Sequence, residues 1–265
     1  MLVILAAGAL TANRWRLVLR RSSIRLLIGL LVGLSATVGA GLIVRAAVAA
    51  RPQNPSSARP AQPSSEQADR ITRRTSEPYK GDLSIFEEPG RDQRLQINRV
   101  MDLLGIKEGS GVADIGAGSG WFTVRAASRV GPGGAVFAVD INAEYLKHIQ
   151  DRARLEHLDN IRTVLGKEDD PLLPVQSVDA VLMLKTYHEI GQPIILLERL
   201  RAALRPGARL GIIDRNGKGY DHGIPSQTVI TEAGRAGFKL VDQYDFVKPD
   251  GMDYFLIFEP LPRAQ

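Results

Sequence analysis

Val112-Ala113-Asp114-Ile115-Gly116-Ala117-Gly118-Ser119-Gly120 reads as a buried strand, a glycine turn and the approach to a helix. Glycine adopts positive φ at little cost, and a turn without side chains lets a ligand approach the backbone where helix amides point outward. In open α/β sheets, ligands bind at this edge, beyond the carboxyl ends of the strands. On its own the turn fits several nucleotide-type ligands. Its pattern is Asp-x-Gly-x-Gly-x-Gly, with Asp114 two residues ahead of the first glycine. The dinucleotide fingerprint Gly-x-Gly-x-x-Gly/Ala is not met, because Trp121 stands where its last small residue belongs.

Outward from this turn, strand and helix signals alternate. Upstream, Leu95, Val100, Met101 and Leu104 fall at roughly helical spacing over 92–104, and Gly105 stops that helix. Downstream the pattern predicts a helix over 121–130, a Gly131-Pro132-Gly133-Gly134 turn and a strand over 135–139 that ends on Asp140. Asn142 can cap a helix running to about His157. Strands follow at 161–165 and 178–184, then a helix over 194–204, the Arg205-Pro206-Gly207 turn and a strand over 208–213. A helix over 228–236, ended by Gly237, precedes strand-like runs at 240–247 and 253–258. Continuous apolar strands spaced by helices predict a doubly wound, mostly parallel α/β sheet covered on both faces. The closing pair, joined by 248–252, predicts a hairpin and hence one antiparallel strand.

Asp140 stands twenty residues beyond Gly120, where an acid can bind both hydroxyls of an adenosine ribose, or simply end a strand. With that residue the chain resembles the class I S-adenosylmethionine-dependent methyltransferases. The likeness rests on VADIGAGSG (112–120), VFAVDIN (136–142), GKEDDPLLP (166–174) followed by SVDAVLML (177–184), and LRPGARLGIID (204–214), in the family's order from Arg91 to Glu259. It implies a seven-stranded Rossmann-like methyltransferase sheet with the last strand antiparallel, and S-adenosyl-L-methionine as cofactor. Asp114, Gly116 and Gly118 would lie near its methionine half and Asp140 on its ribose, with Ala117, Gly120 and Ile141 also among the cofactor-binding positions. An acid after the third strand would approach the adenine amine. Asp169, four residues before Leu173, matches best, with Glu168 and Asp170 close behind.

Methyl transfer asks mainly that the acceptor be placed in line with the sulfonium methyl, and a base is needed only where the acceptor must lose a proton. Candidates cluster after the fourth strand, in Lys185-Thr186-Tyr187-His188-Glu189. His188 suits a base at neutral pH, and Tyr187 is placed to shape an acceptor pocket; alternatively His188 and Glu189 only open the next helix. Asp214, at the end of the fifth strand, is the third catalytic candidate, followed by Asp221-His222-Gly223. Metal-dependent O-methyltransferases use acids after the fourth and fifth strands. Lys185-Thr186 departs from that pattern, so no metal is expected, although His188, Asp214 and His222 are the residues that would argue otherwise. The segment 86–92 reads equally as a lid over the cofactor or as a connector.

The chain of 265 residues contains no cysteine, which excludes disulfides, thiolate metal sites and a cysteine nucleophile. Its net charge of +5 is unevenly spread. Residues 1–75 hold 11 Lys+Arg against 2 Asp+Glu, and residues 76–265 hold 23 against 27. The mildly acidic second part, without basic–aromatic clusters, argues against nucleic acid; a small-molecule acceptor is what the resemblance of the motifs implies. Within 1–50, residues 26–44 are 19 uncharged positions in a row, long enough to cross a bilayer core of ~30 Å. Five arginines lie upstream (14, 16, 20, 21, 25) and three downstream (45, 51, 59), a bias that puts a single-pass anchor's amino terminus inside and the domain outside, periplasmic in a bacterium. A cleaved export signal is the competing reading, with Ala47-Val48-Ala49 as cleavage pattern. Residues 51–75 read as a disordered Pro/Ser-rich linker and 76–265 as the methyltransferase domain. The outward topology conflicts with a cofactor made in the cytoplasm, so the anchor is inverted, the cofactor delivered, or the activity vestigial. The rival readings are a catalytically inactive cofactor-binding or scaffold protein of the same fold, an NAD-type oxidoreductase, and a structural membrane-tethered protein.

Overall fold

Runs such as 135–139 and 180–184, apolar throughout, cannot face water on either side, so the chain builds a sheet and covers both faces. The computed structural model describes residues 72–262 apart from 78 and 219–221. The elements are α1 (Arg91–Leu95), α2 (Ile97–Leu103), β1 (Gly111–Ile115), α3 (Trp121–Val130), β2 (Ala135–Asp140), α4 (Ala143–Leu155), β3 (Ile161–Leu165), β4 (Val178–Leu184), α5 (Pro193–Ala203), β5 (Leu204–Asp214), α6 (Ser226–Arg235), β6 (Phe238–Tyr244) and β7 (Tyr254–Pro260). They form one seven-stranded sheet in the order β3-β2-β1-β4-β5-β7-β6. Pairings from β3 through β5 are parallel, whereas β7 runs antiparallel to both β5 and β6. The expected hairpin thus inserts its second strand between β5 and β6.

Side chains alternate across the sheet, as strand geometry requires. Ala113, Val139, Val181, Met183 and Ile212 face one side, packed with Leu197 and Leu200 of α5 and Val229 and Ala233 of α6. Val112, Val136, Leu182, Ile213 and Ile257 face the other, against Val100 of α2 and Trp121, Ala126 and Val130 of α3. Leu146 and Ile149 seat α4 on Ala117 and Ala138. Trp121 is buried, with the guanidinium of Arg91 4.4 Å and that of Arg125 4.1 Å from its ring centroid. The residue that breaks the dinucleotide fingerprint is therefore part of the core.

Several boundaries differ from the sequence reading, among them β6, which ends at Tyr244 rather than at 247. The helix expected over 92–104 is divided at Gln96, whose φ is +52°. Leu95 and Ile97 are both buried, and residues two apart cannot share one face of a single helix; the left-handed residue between them turns both inward. β5 begins at Leu204, which pairs with Val178, and the next registered pair is Arg209 with Ala180. The Arg205-Pro206-Gly207 turn is a bulge within the strand rather than its boundary. The anchor or signal helix expected within 1–50, and the linker as far as residue 71, lie outside the described residues. Among the described residues no helix is long and apolar enough to cross a membrane. The chain divides into two units, Met1–Ser57 and Ala58–Gln265, and every described residue belongs to the second.

Candidate active site

Neighbouring strands β1 and β4 hand the chain on in opposite directions, toward β2 and β5, so a crevice opens at their carboxyl ends. The glycine turn forms one wall. Gly116, Gly118 and Gly120 have φ of +72°, +55° and +78°, values that side chains rarely tolerate. The amides of Gly116 and Ala117 donate to the carbonyl of Val139 at 2.8 and 3.1 Å, which holds the turn on β2. A Cβ on Gly116 would lie 2.2 Å from Cγ2 of Thr186, and one on Gly120 would lie 2.9 Å from Cγ1 of Ile149. On Gly118 it would meet only the Gly116 carbonyl, at 4.0 Å. Packing accounts for two of the glycines, and the third leaves backbone open to a ligand.

Asp140 ends β2 beside that open position. Its Oδ2 accepts from the Gly118 amide at 3.0 Å and its Oδ1 from the Asn142 amide at 2.9 Å. Burial raises the pKa of this carboxyl, while the amides of Gly118, Asn142 and Ile141 work against the rise. Each oxygen retains acceptor capacity after one hydrogen bond. A carboxylate fixed from behind in this way is ready to receive two vicinal hydroxyls. Ile141 is half-exposed next to it.

The opposite wall comes from the ends of β4 and β5. Asp214, fully buried, accepts from the backbone amides of His188 and Arg215 at 3.2 and 2.9 Å. Nδ1 of His188 lies 2.9 Å from both of its oxygens. An ionised carboxylate only accepts, so in a neutral ring Nδ1 would carry the proton and Nε2 the lone pair. That atom is 3.4 Å from Oε1 of Glu189, which also lies 3.1 Å from Nδ1 of His222. Burial works against ionisation of Glu189, but the Ser76 amide and His222 outweigh it and hold its carboxyl below the usual range.

Residues 112–207 match the model of a family described as a methyltransferase domain. The match supports the class I S-adenosylmethionine-dependent methyltransferase family for this segment. It is 31% identical over 114 residues to the nocamycin O-methyltransferase of Saccharothrix syringae, a match covering 43% of this chain and 41% of that protein. A ubiquinone/menaquinone biosynthesis C-methyltransferase of Hahella chejuensis is 31% identical over 123 residues, covering 46% and 49%. The chain thus spans less than half the length of these curated relatives. Among solved structures, a SAM-dependent methyltransferase from Aquifex aeolicus superposes with a TM-score of 0.60 at 25% identity, covering 68% of this chain and 98% of that one.

Within this methyltransferase domain the remaining expected residues are unevenly placed. Asp114 is buried and accepts from the Thr123 hydroxyl at 2.6 Å, tying β1 to α3. Burial pushes its pKa up to about 7, with Asp140 adding to the rise. Asp169 turns to Arg199 of α5 at 2.8 Å, and Asp170 caps its own turn by accepting from the Leu172 amide at 2.9 Å. Tyr187, expected to shape an acceptor pocket, is instead wholly buried and donates to Glu232 of α6 at 2.9 Å. Burial and the neighbouring Glu232 raise its pKa well above the ordinary tyrosine value. It supports the loop from beneath, because the aromatic ring that opens the half-turn Tyr187–Glu189 is drawn into the apolar cluster under β4.

The methyltransferase domain also has a strap over 73–87, which overlaps only at its end the segment 86–92 that the sequence left between lid and connector. Arg73 pairs with Glu232, Ser76 donates its amide to Oε2 of Glu189 at 2.7 Å, and Tyr79 offers its carbonyl to the Tyr145 hydroxyl. Glu87 accepts from Ser119 at 2.7 Å and from Arg152 at 2.6 Å. The leading segment therefore touches both walls of the crevice, and Arg73, assigned by sequence to the linker, belongs to the folded unit. Tyr145 and Arg152 lie seven residues apart on α4, a spacing that puts them on one helix face and was readable in advance. The contacts of Arg73 and Ser76, more than a hundred residues from their partners, had no local signal.

Proposed function

We propose that this domain transfers a methyl group from S-adenosyl-L-methionine to a small-molecule acceptor. The observation that carries the reading is Asp140, braced by the amides of Gly118 and Asn142 at the open side of a three-glycine turn. The residues fit the cofactor: backbone is exposed at Gly118, and Asp140 keeps acceptor capacity for a ribose diol. The cofactor supplies an electrophilic methyl on a sulfonium that is its own leaving group. Gly116, Ala117, Gly118 and Gly120 provide the close backbone approach, Asp140 the ribose contact and Ile141 an apolar surface beside it. Asp114 supports β1 behind the turn. Asp169, paired with Arg199, remains the acid assigned to the adenine end.

His188 faces the acceptor side with Nε2 and is held in that tautomer by Asp214. It would accept the proton of an ionisable acceptor group and position that group for in-line attack. The strap over both walls would exclude water from the sulfonium. The likeness to O- and C-methyltransferases of small molecules supports an acceptor of that size. The test is incubation of the full chain with methyl-labelled S-adenosylmethionine and a small-molecule extract. Label in an extractable product that disappears in Asp140→Ala is expected; label only in hydrolysis products would contradict the proposal.

From the uncharged run at 26–44 we further infer a single-pass anchor holding the domain at a membrane; its arginine bias favours the outer side, and methyl transfer there requires that the cofactor be delivered. A reporter fused after Gln265, active only outside the cytoplasm, tests this placement.

A further inference from the structure

We propose that His188, Glu189 and His222 form a binding site for a divalent transition-metal ion at the acceptor end of the crevice. Each offers one donor atom, and the three donors all lie within 4.8 Å of one another. Donors that both sit about 2.1 Å from one tetrahedral or octahedral ion are separated by roughly 3–3.4 Å. Oε1 of Glu189 is 3.4 Å from Nε2 of His188 and 3.1 Å from Nδ1 of His222, so two of the three edges have the required length. The third closes by a small movement of His222, the most exposed member.

An independent feature points the same way. Metal-binding histidines usually donate their other ring nitrogen to a carboxylate, which fixes the ring and raises its basicity. His188 does this with Asp214, at 2.9 Å in the interior. The other donors are fixed as well. Glu189 gives its second oxygen to the Ser76 amide at 2.7 Å, leaving Oε1 for the site. The carbonyl of His222 accepts from Nε of Arg215 at 2.7 Å, and the Ile224 amide donates to the carbonyl of Arg215 at 2.8 Å, which folds this loop back over β5. The rings of His188 and His222 meet edge to face at 6.0 Å.

Two imidazoles and one carboxylate favour zinc, iron(II), cobalt(II) or manganese(II) over magnesium or calcium, which prefer oxygen donors throughout. The departure at Lys185-Thr186, which led to the expectation of no metal, removes the acid that metal-dependent O-methyltransferases use after the fourth strand, but the proposed ligands lie later in that loop and in the loop after β5. Three protein ligands leave coordination positions open. An acceptor bearing a hydroxyl, enol or carboxylate oxygen could occupy one, and the ion would then take over the role assigned above to Nε2 of His188. This last role rests on the methyl-transfer reading; metal binding itself does not.

The test uses the untagged full chain, stripped with a chelator and dialysed against Co2+ or Zn2+. Bound metal is measured by elemental analysis, and Co2+ coordination by its visible d–d absorption. About one equivalent per chain is expected. His222→Ala and Glu189→Gln should weaken binding at least tenfold without shifting the metal-free melting temperature. Asp214→Asn should weaken it 10- to 100-fold by freeing the His188 ring. S-adenosylhomocysteine affinity should be unchanged in His222→Ala. No bound metal, or equal binding by wild type and His222→Ala, would overturn the proposal and leave the cluster as a hydrogen-bond network. Metal binding without S-adenosylhomocysteine binding would instead overturn the methyl-transfer reading and leave the metal site standing.

Discussion

Asp214, the last residue of β5, holds Nδ1 of His188 at 2.9 Å while accepting the backbone amides of His188 and Arg215. One buried carboxylate thus sets both the tautomer of the ring and the path of the loop that carries it. Asp214→Ala removes the acceptor from three donors at once. Since each buried, unsatisfied donor costs about 1–3 kcal/mol, the variant should lose at least about 3 kcal/mol in urea denaturation. A loss below ~1 kcal/mol would show that water or rearrangement replaces the carboxylate.

Gly116 should tolerate no side chain. Its φ is +72°, and a Cβ would lie 2.2 Å from Cγ2 of Thr186 and 2.6 Å from its Oγ1. Gly116→Ala is expected to destabilise by about 2 kcal/mol or more, combining overpacking with left-handed strain. Thr186→Ala should recover the steric share but not the backbone share. A double-mutant cycle measures the difference, and strict additivity would contradict the contact.

Arg73 and Glu232 form an ion pair with little exposure of either side chain, and the Arg73 guanidinium also lies 5.4 Å from the Tyr187 ring centroid. Arg73→Ala leaves the buried Glu232 uncompensated and should cost about 3 kcal/mol. Glu232→Gln in the same background should restore part of the loss, because it removes the stranded charge. The pair of denaturation midpoints checks this, and no recovery would argue against the charge as the cause.

Asp114 carries a prediction about pH. Its carboxyl is pushed from 3.8 to about 7 by burial, so the folded state favours the protonated form. The stabilisation this gives is fully present below about pH 4 and is lost as pH rises through about 7. Asp114→Asn, which keeps an acceptor for Thr123, should therefore gain stability relative to wild type between pH 5 and pH 8. Melting temperatures of the two proteins across that range would run parallel if Asp114 were ionised throughout.

The fold was legible wherever short-range pattern decides it. The strands at 161–165 and 178–184 match the sequence reading residue for residue, because each is rich in apolar and β-branched residues and bounded by turn residues. Gln96 escaped notice because its left-handed conformation answers a demand from the core, not a local propensity. In the site, the glycine turn and Asp140 lie within one strand–helix–strand unit, and Asn142 caps α4 as expected by accepting from Glu144 at 2.9 Å. Tyr187 lies deeper than expected, since sequence order puts it beside His188 but does not say that its ring turns to Glu232 while His188 turns to Asp214. His222 stood in the sequence beside His188 and Asp214 as a residue that would argue for a metal, but its meeting with Glu189, 33 residues away, had no local signal.

The central claim is that the glycine turn and Asp140 hold S-adenosylmethionine, and calorimetric titration of the full chain with S-adenosylhomocysteine tests it most directly. Saturable binding at one site is expected, weakened at least tenfold by Asp140→Ala and not displaced by NADH. No heat of binding at millimolar ligand, or equal affinity in Asp140→Ala, would contradict the account.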